Sequence, residues 1–398
     1  MDFSPFSTVT MPRIRFGEGT LLELPELAAR YGKNALVLTG GSSFVGSRYW
    51  APLKAALSGE GIDFSHDTIS GEPSPQRVDE IVTRYRDQKI NAVIGIGGGS
   101  VLDAAKAVAG LLPFGNSVLD HLEDVGKGLP YEGPALPFIA VPTTAGTGSE
   151  ATKNAVLSEH GECGYKKSFR HDSLVAKVAL IDPQLLEACP PELIAAQGMD
   201  AFTQLLESYV SLRANPFTDA LAWSGLEAVG EGFMHAYAGG DTDDARHGRA
   251  AMAYAALLSG ITLAQVGLGS VHGLAQPLGS LFPVPHGVAC GTTVASATRV
   301  NIDALRRRLS ESPALIKYAQ VGRLLSGKTT LPEEEAQEAL VEVLEQWTEQ
   351  LKLPRLGHFN IDESDIPAIV ANSRGNSMKT NPVELSDEEI AAIIRPRL

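Results

Sequence analysis

Cysteine is scarce in this 398-residue chain. Cys163, Cys189 and Cys290 are odd in number, far apart and never arranged as CxxC. This excludes a disulfide framework and an all-thiolate zinc site, and it fits a reducing cytoplasm. Basic residues are outnumbered as well: 33 Lys and Arg against 47 Asp and Glu give a net charge of −14. Such a surface repels phosphate backbones and anionic bilayers, so nucleic acid and membrane are not expected partners. No run approaches the ~20 apolar residues that span a bilayer, and Met1-Asp2-Phe3-Ser4-Pro5 has neither a basic nor an apolar leader segment, so a soluble, unprocessed protein is expected. Low-complexity tracts and internal repeats are absent too. What remains is an ordinary globular composition, 44% hydrophobic and 20% charged. At ~150 residues per domain, the length predicts two or three domains.

The first half alternates buried-type strands with glycine-rich corners. Ala35-Leu36-Val37-Leu38-Thr39 runs into Gly40-Gly41-Ser42-Ser43, and Ala92-Val93-Ile94-Gly95-Ile96 into Gly97-Gly98-Gly99-Ser100. Phe138-Ile139-Ala140-Val141-Pro142 runs into Thr143-Thr144-Ala145-Gly146-Thr147-Gly148, and Val178-Ala179-Leu180-Ile181 closes the series. Continuous apolar runs of this length suit strands covered on both faces, which predicts a mainly parallel sheet with crossover helices. After Pro190-Pro191 the apolar positions take helical spacing, as in Leu205, Leu206, Tyr209 and Val210, or Ala336, Leu340, Val343, Leu344 and Trp347. The expected organisation is an α/β dinucleotide-binding domain over 1–190 and an all-α domain over 191–398.

Gly97-Gly98-Gly99-Ser100 follows a strand and opens a helix that carries Asp103, a place where backbone can approach a ligand and free amides can hold a phosphate. It is neither GxGxxG nor a Walker loop, and alone it is also what a tight turn requires. The corner containing Thr143, Thr144 and Thr147 supplies hydroxyls on the same edge of a parallel sheet, where ligands of open α/β sheets bind. Farther on, Asp200 and Gln204 stand four apart on one helix, with His272 and His286 downstream. A carboxylate and two imidazoles suit Fe(II) or Zn(II), and the same residues also serve as satisfied core histidines and a buried cap.

Together, Pro12-Arg13-Ile14-Arg15-Phe16-Gly17, Gly97–Asp103, Pro142–Glu150, Gly198-Met199-Asp200-Ala201, His272 with His286, and Asn381-Pro382 resemble the iron-containing (group III) alcohol dehydrogenase family nearly end to end. The resemblance implies a dehydroquinate synthase-like architecture, with hydride transfer between NAD(P) and an alcohol or aldehyde beside a divalent metal. It implies metal ligands at Asp200, Gln204, His272 and His286, with Asp200 and the two histidines catalytic. It also implies cofactor contacts at Gly97, Gly98, Gly99, Ser100, Asp103, Thr143, Thr144, Thr147, Asn154 and Lys166.

Two positions depart from the family. Gln204 stands where a histidine ligand is common, and its amide is a poorer donor to Fe or Zn. Gln276 stands where many relatives carry a second histidine near the substrate, and an amide does not titrate near neutrality. At the first corner, Gly40, Gly41 and Ser42 replace the Asp with which NAD-preferring relatives bind ribose hydroxyls, which predicts NADP preference. Arg374 and Lys379 form a possible clamp for an acidic aldehyde, and equally an ordinary surface loop. Relatives commonly form homodimers or larger assemblies, so a homo-oligomer is expected. Maleylacetate-type, hydroxy-acid and phosphonoacetaldehyde-type reductases, a dehydroquinate synthase-type lyase and a metal-weakened, non-catalytic nucleotide binder share this architecture and stay open.

Overall fold

The computed structural model describes residues 5–122, 125–159 and 164–398, leaving Met1–Ser4 and Cys163 outside the description. The chain divides into two units. One is Val9–Ala188, and the other is Cys189–Leu398 with the described residues before Val9.

The first unit is built on β1 (Arg13–Phe16), β2 (Asn34–Gly40), β3 (Asp63–Ile69), β4 (Ala92–Gly97), β5 (Phe138–Pro142), β6 (Asn154–Glu159), β7 (Tyr165–Arg170) and β8 (Val178–Ile181). Six of them form one sheet in the order β1-β8-β5-β4-β2-β3, with all pairs parallel. Successive residues of β2 point to opposite cores. Leu36 and Leu38 join Val93, Phe138 and Ala140 under α3 (Pro75–Tyr85) and α4 (Gly99–Leu111). Ala35 and Val37 join Ile94, Ile96, Ile139 and Val141 beneath α1 (Leu24–Ala29) and α2 (Trp50–Gly59). Burial on both faces is why these strands read as unbroken apolar runs.

Strand order reverses between β2 and β4, and the register pairs Thr39 with Ile96 and Gly97 with Pro142. The corners after β2, β4 and β5 therefore lie on one edge of the sheet, two of them flanking the reversal where open α/β sheets bind ligands. β1 and β3 are edge strands and β6 pairs with β7 as an antiparallel hairpin; none of the three was expected as a strand from the sequence. β3, Asp63-Phe64-Ser65-His66-Asp67-Thr68-Ile69, is polar because only a few of its side chains face a core.

The second unit is helical among the described residues: α5 (Pro191–Val210), α6 (Pro216–Ala238), α7 (Asp243–Val266), α8 (Ser270–Leu281), α9 (His286–Arg308), α10 (Pro313–Ser326), α11 (Glu333–Gln350), α12 (Ile366–Asn372) and α13 (Asp387–Ile394). From Gly198 onward every residue of α5 is buried, with α6, α7 and α9 packed around it. α7 bears on the expectation that no segment spans a bilayer. By length and composition it is apolar enough to cross a membrane, but 72% of that window is buried within the fold. A helix apolar all round is what the interior of a helical bundle requires.

Candidate metal centre and cofactor corners

Helix α5 presents Asp200, Gln204 and Glu207 on successive turns of one face, all buried. α8 brings His272 in its first turn, and α9 begins at His286 with Cys290 one turn later. These side chains converge. His272 Nε2 lies 3.2 Å and His286 Nε2 3.6 Å from Asp200 Oδ1. Cys290 Sγ lies 3.7 Å from His272 Nε2 and 3.9 Å from His286 Nε2. The four ligand atoms all fall within 4.8 Å of one another.

Hydrogen bonds fix the donors and acceptors. Glu207 accepts from the Val271 amide at 2.7 Å with one oxygen and from His272 Nδ1 at 2.7 Å with the other. A proton on Nδ1 leaves the Nε2 lone pair facing the Asp200 carboxylate, two acceptors in contact that require a cation or a further proton between them. Asp200 Oδ2 is buried without a hydrogen-bond partner. Gly269 lets Glu207 approach, because a Cβ there would meet Glu207 Oε1 at 2.9 Å and Asn381 Oδ1 at 2.8 Å. Asn381 in turn accepts from the Ser270 amide at 3.0 Å and holds the start of α8.

Burial opposes ionisation of Asp200, but His286, His272 and the Gln204 amide outweigh it and hold the carboxyl below its ordinary value. Burial likewise disfavours a charged His272, yet Cys290, Asp200 and Glu207 raise its pKa well above the ordinary imidazole value. Burial pushes the Cys290 thiol up to about 12. The orphaned carboxylate oxygen, the opposed acceptors and the mixed O, N and S donor set fit a divalent transition metal.

Gln204, expected as an oxygen donor to the metal, lies beside Asp200. Its Nε2 donates to Asp200 Oδ1 at 3.0 Å, and its Oε1 accepts from Ser259 Oγ at 2.8 Å. Gln276, one turn after His272, is exposed. Arg374 donates to Leu385 O at 3.1 Å and pairs with Asp387, while Lys379 reaches Asn376 Oδ1 at 3.3 Å. Neither cation makes a contact with the cluster. Glu207 and Cys290 were not singled out from sequence. Their signals were present: Glu207 lies three residues after Gln204, and Cys290 lies four after His286, each on the same helix face.

In the α/β unit, the Thr143 amide donates to Gly97 O at 3.0 Å, joining two corners. A Cβ on Gly98 would meet Thr144 Oγ1 at 3.2 Å, and one on Gly99 would meet Thr147 Oγ1 at 2.7 Å. The glycines thus accommodate the threonine loop, and α4 follows Gly98 without a side-chain cap. Ser100 stands half-buried in the first turn of α4, where uncapped amides favour an anion. Asp103 faces inward instead, accepting from Ser149 Oγ at 2.5 Å and the Val156 amide at 3.1 Å and pairing with Lys106 at 3.2 Å. Asn154 opens β6, and its carbonyl accepts from Lys106 at 2.6 Å. Lys166 is paired with Glu72 at 2.6 Å. Gly41 and Ser42 are exposed beyond β2, and no carboxylate stands among residues 39–43.

The family profile "Iron-containing alcohol dehydrogenase" matches residues 12–183, and its C-terminal counterpart matches residues 194–398. Long-chain-alcohol dehydrogenase 1 of Geobacillus thermodenitrificans is 33% identical over 388 residues, covering 96% of this chain and 94% of the relative. The NAD-dependent methanol dehydrogenase of Bacillus methanolicus is 30% identical over 329 residues, 82% of either chain. The crystal structure of a 1,3-propanediol oxidoreductase superposes with a TM-score of 0.89 at 27% identity, over 99% of this chain and 100% of that one. Matched over both units, in sequence and in fold, this chain belongs to the iron-containing alcohol dehydrogenase family.

Proposed function

We propose that the protein is a metal-assisted, NAD(P)-dependent alcohol dehydrogenase or aldehyde reductase that moves hydride between C4 of the nicotinamide and the carbon of a small alcohol or aldehyde. The observation that carries this reading is the convergence of Asp200, His272 and His286 on one buried point. A divalent cation, Fe(II) or Zn(II), held by these residues would supply Lewis acidity toward the substrate oxygen.

The chain's own residues do the rest. Glu207 fixes the orientation of His272, and Gln204 steadies Asp200 with its amide N–H. The His286 side chain is 32% exposed whereas those of Asp200 and His272 are 0% and 6%, so substrate reaches the cluster from the His286 side. Gln276 cannot carry a proton, so the hydroxyl proton of an alcohol leaves through water or a hydroxyl of the bound molecules. The edge of the sheet bearing Gly97–Ser100 and Thr143–Thr147 supplies amides and hydroxyls for a dinucleotide. The absence of a carboxylate after β2 supports NADP over NAD.

The test is NADPH consumption by metal-replete protein with neutral, hydroxylated and acidic short aldehydes. Aldehyde-dependent oxidation that the metal-free protein lacks is expected. Cofactor binding without turnover on any of the aldehydes would overturn the reading.

A further inference from the structure

We propose that Cys290 is a metal ligand in this chain, so that the centre is an Asp–His–His–Cys site with Gln204 and Glu207 as positioning residues. The proposal rests on the reading of Asp200, His272 and His286 as metal ligands, and it adds the fourth donor.

Three observations carry it. First, four of the six distances among the donor atoms approach those of a coordination tetrahedron, and all lie within 4.8 Å. Metal bonds of ~2.0–2.1 Å to nitrogen or oxygen and ~2.3 Å to sulfur, set at tetrahedral angles, place N and O atoms ~3.4 Å apart and N and S atoms ~3.6 Å apart. The corresponding separations are 3.2 and 3.6 Å from Asp200 Oδ1 to the two imidazoles, and 3.7 and 3.9 Å from Cys290 Sγ to the same nitrogens. Second, Asp200 is fully buried and its Oδ2 has no hydrogen-bond partner, so the acid is left unsatisfied within the cluster that Cys290 joins. Third, the Gln204 side chain is held by its own hydrogen bonds, its nitrogen donating to Asp200 Oδ1 at 3.0 Å and its oxygen 2.8 Å from Ser259 Oγ.

A buried cysteine acting as a small apolar filler does not need two imidazole nitrogens and a carboxylate within 4.8 Å of its sulfur. On binding, the S–H bond breaks, a sulfur–metal bond forms and the proton is released to solvent, as for other thiolate ligands. The partly exposed His286 side leaves room for a fifth, exchangeable position, to which catalytic zinc sites sometimes expand in the transition state. A thiolate also makes the donor set softer than one of oxygen and nitrogen alone, which favours Zn(II) over Fe(II).

X-ray absorption of the full-length zinc-loaded protein tests this directly. One sulfur scatterer at ~2.3 Å is expected beside nitrogen and oxygen at ~2.0–2.1 Å. The Co(II)-substituted protein provides the second readout. It is expected to show a sulfur-to-cobalt charge-transfer band that is lost in Cys290→Ser and kept in Cys189→Ser and Gln204→Ala. Cys290→Ser is also expected to bind the metal more weakly by at least the ~10–100-fold typical of losing an outer-shell partner. One equivalent of bound metal with only nitrogen and oxygen neighbours, or a charge-transfer band that persists in Cys290→Ser, overturns the assignment while leaving the metal-enzyme reading intact. Protein that binds no metal at the cluster overturns both.

Discussion

Lys106 is a fully buried cation with two carboxylates near it. Its ammonium donates to Thr152 Oγ1 at 3.0 Å and Asn154 O at 2.6 Å and pairs with Asp103, while Glu150 lies buried within its field. One positive charge neutralises one of the acids. Burial raises the pKa of the other, Glu150, from 4.5 to about 7, against the weaker pull of its own backbone hydrogen bond and of Lys106. The sign follows from proton linkage. Because the folded pKa lies above the free value, the contribution of Glu150 is undiminished below about pH 4.5 and is lost as pH rises to about 7. Above that pH the buried charge costs on the order of 3 kcal/mol. Glu150→Gln is therefore expected to raise the thermal midpoint by several degrees at pH 8 and to leave it unchanged near pH 4.5, as measured by scanning calorimetry. Equal shifts at both pH values would show that folding leaves the pKa of Glu150 unshifted.

At the scale of elements, the proposed preference for NADP rests on the end of β2. A Cβ on Gly40 would meet only Ser43 Oγ, at 3.8 Å, and the residue's φ is not in the left-handed region, so a side chain fits there without strain. Gly40→Asp places a carboxylate where the 2′-phosphate of NADP would be admitted, and like charges at that range repel. The ratio of kcat/KM for NADPH to that for NADH is expected to fall by about tenfold or more, since each ~1.4 kcal/mol of repulsion is a factor of ten. An unchanged ratio would move the selecting contact off this corner.

The same elements show what the sequence carried. β2, β4, β5 and β8 were legible because both of their faces are buried, which leaves an unbroken apolar run. β1, β3 and the β6–β7 hairpin were not, since an edge strand such as Asp63–Ile69, or a hairpin strand carrying Lys166 and Lys167, exposes much of its surface and reads as loop. Asp200, His272 and His286 were picked out by motif order and spacing. The contact from Glu207 to His272 spans 65 residues and that from Cys290 to His272 spans 18, and only the packing of α5, α8 and α9 creates either one.

For the whole molecule, the proposed metal and cofactor residues fall in different units, so the two units are expected to respond separately to their ligands. Every residue of the metal cluster lies on α5, α8 or α9, whereas the glycine and threonine corners belong to the α/β unit. A ligand that binds only the folded state stabilises it by about 2.7 kcal/mol at a hundredfold excess over Kd, and most where its contacts are made. Hydrogen exchange of the full chain should therefore slow in Pro191–Val210, Ser270–Leu281 and His286–Arg308 when Zn(II) is added to chelator-treated protein. NADPH should instead protect the segments around Gly97–Ser100 and Thr143–Gly148. The asymmetry follows from local opening, because amides exchange through fluctuations that expose them, and a metal tying three helices suppresses only the openings that separate those helices. Metal-induced protection confined to the α/β unit would place the bound ion away from Asp200, His272 and His286 and remove the structural basis for the proposed chemistry.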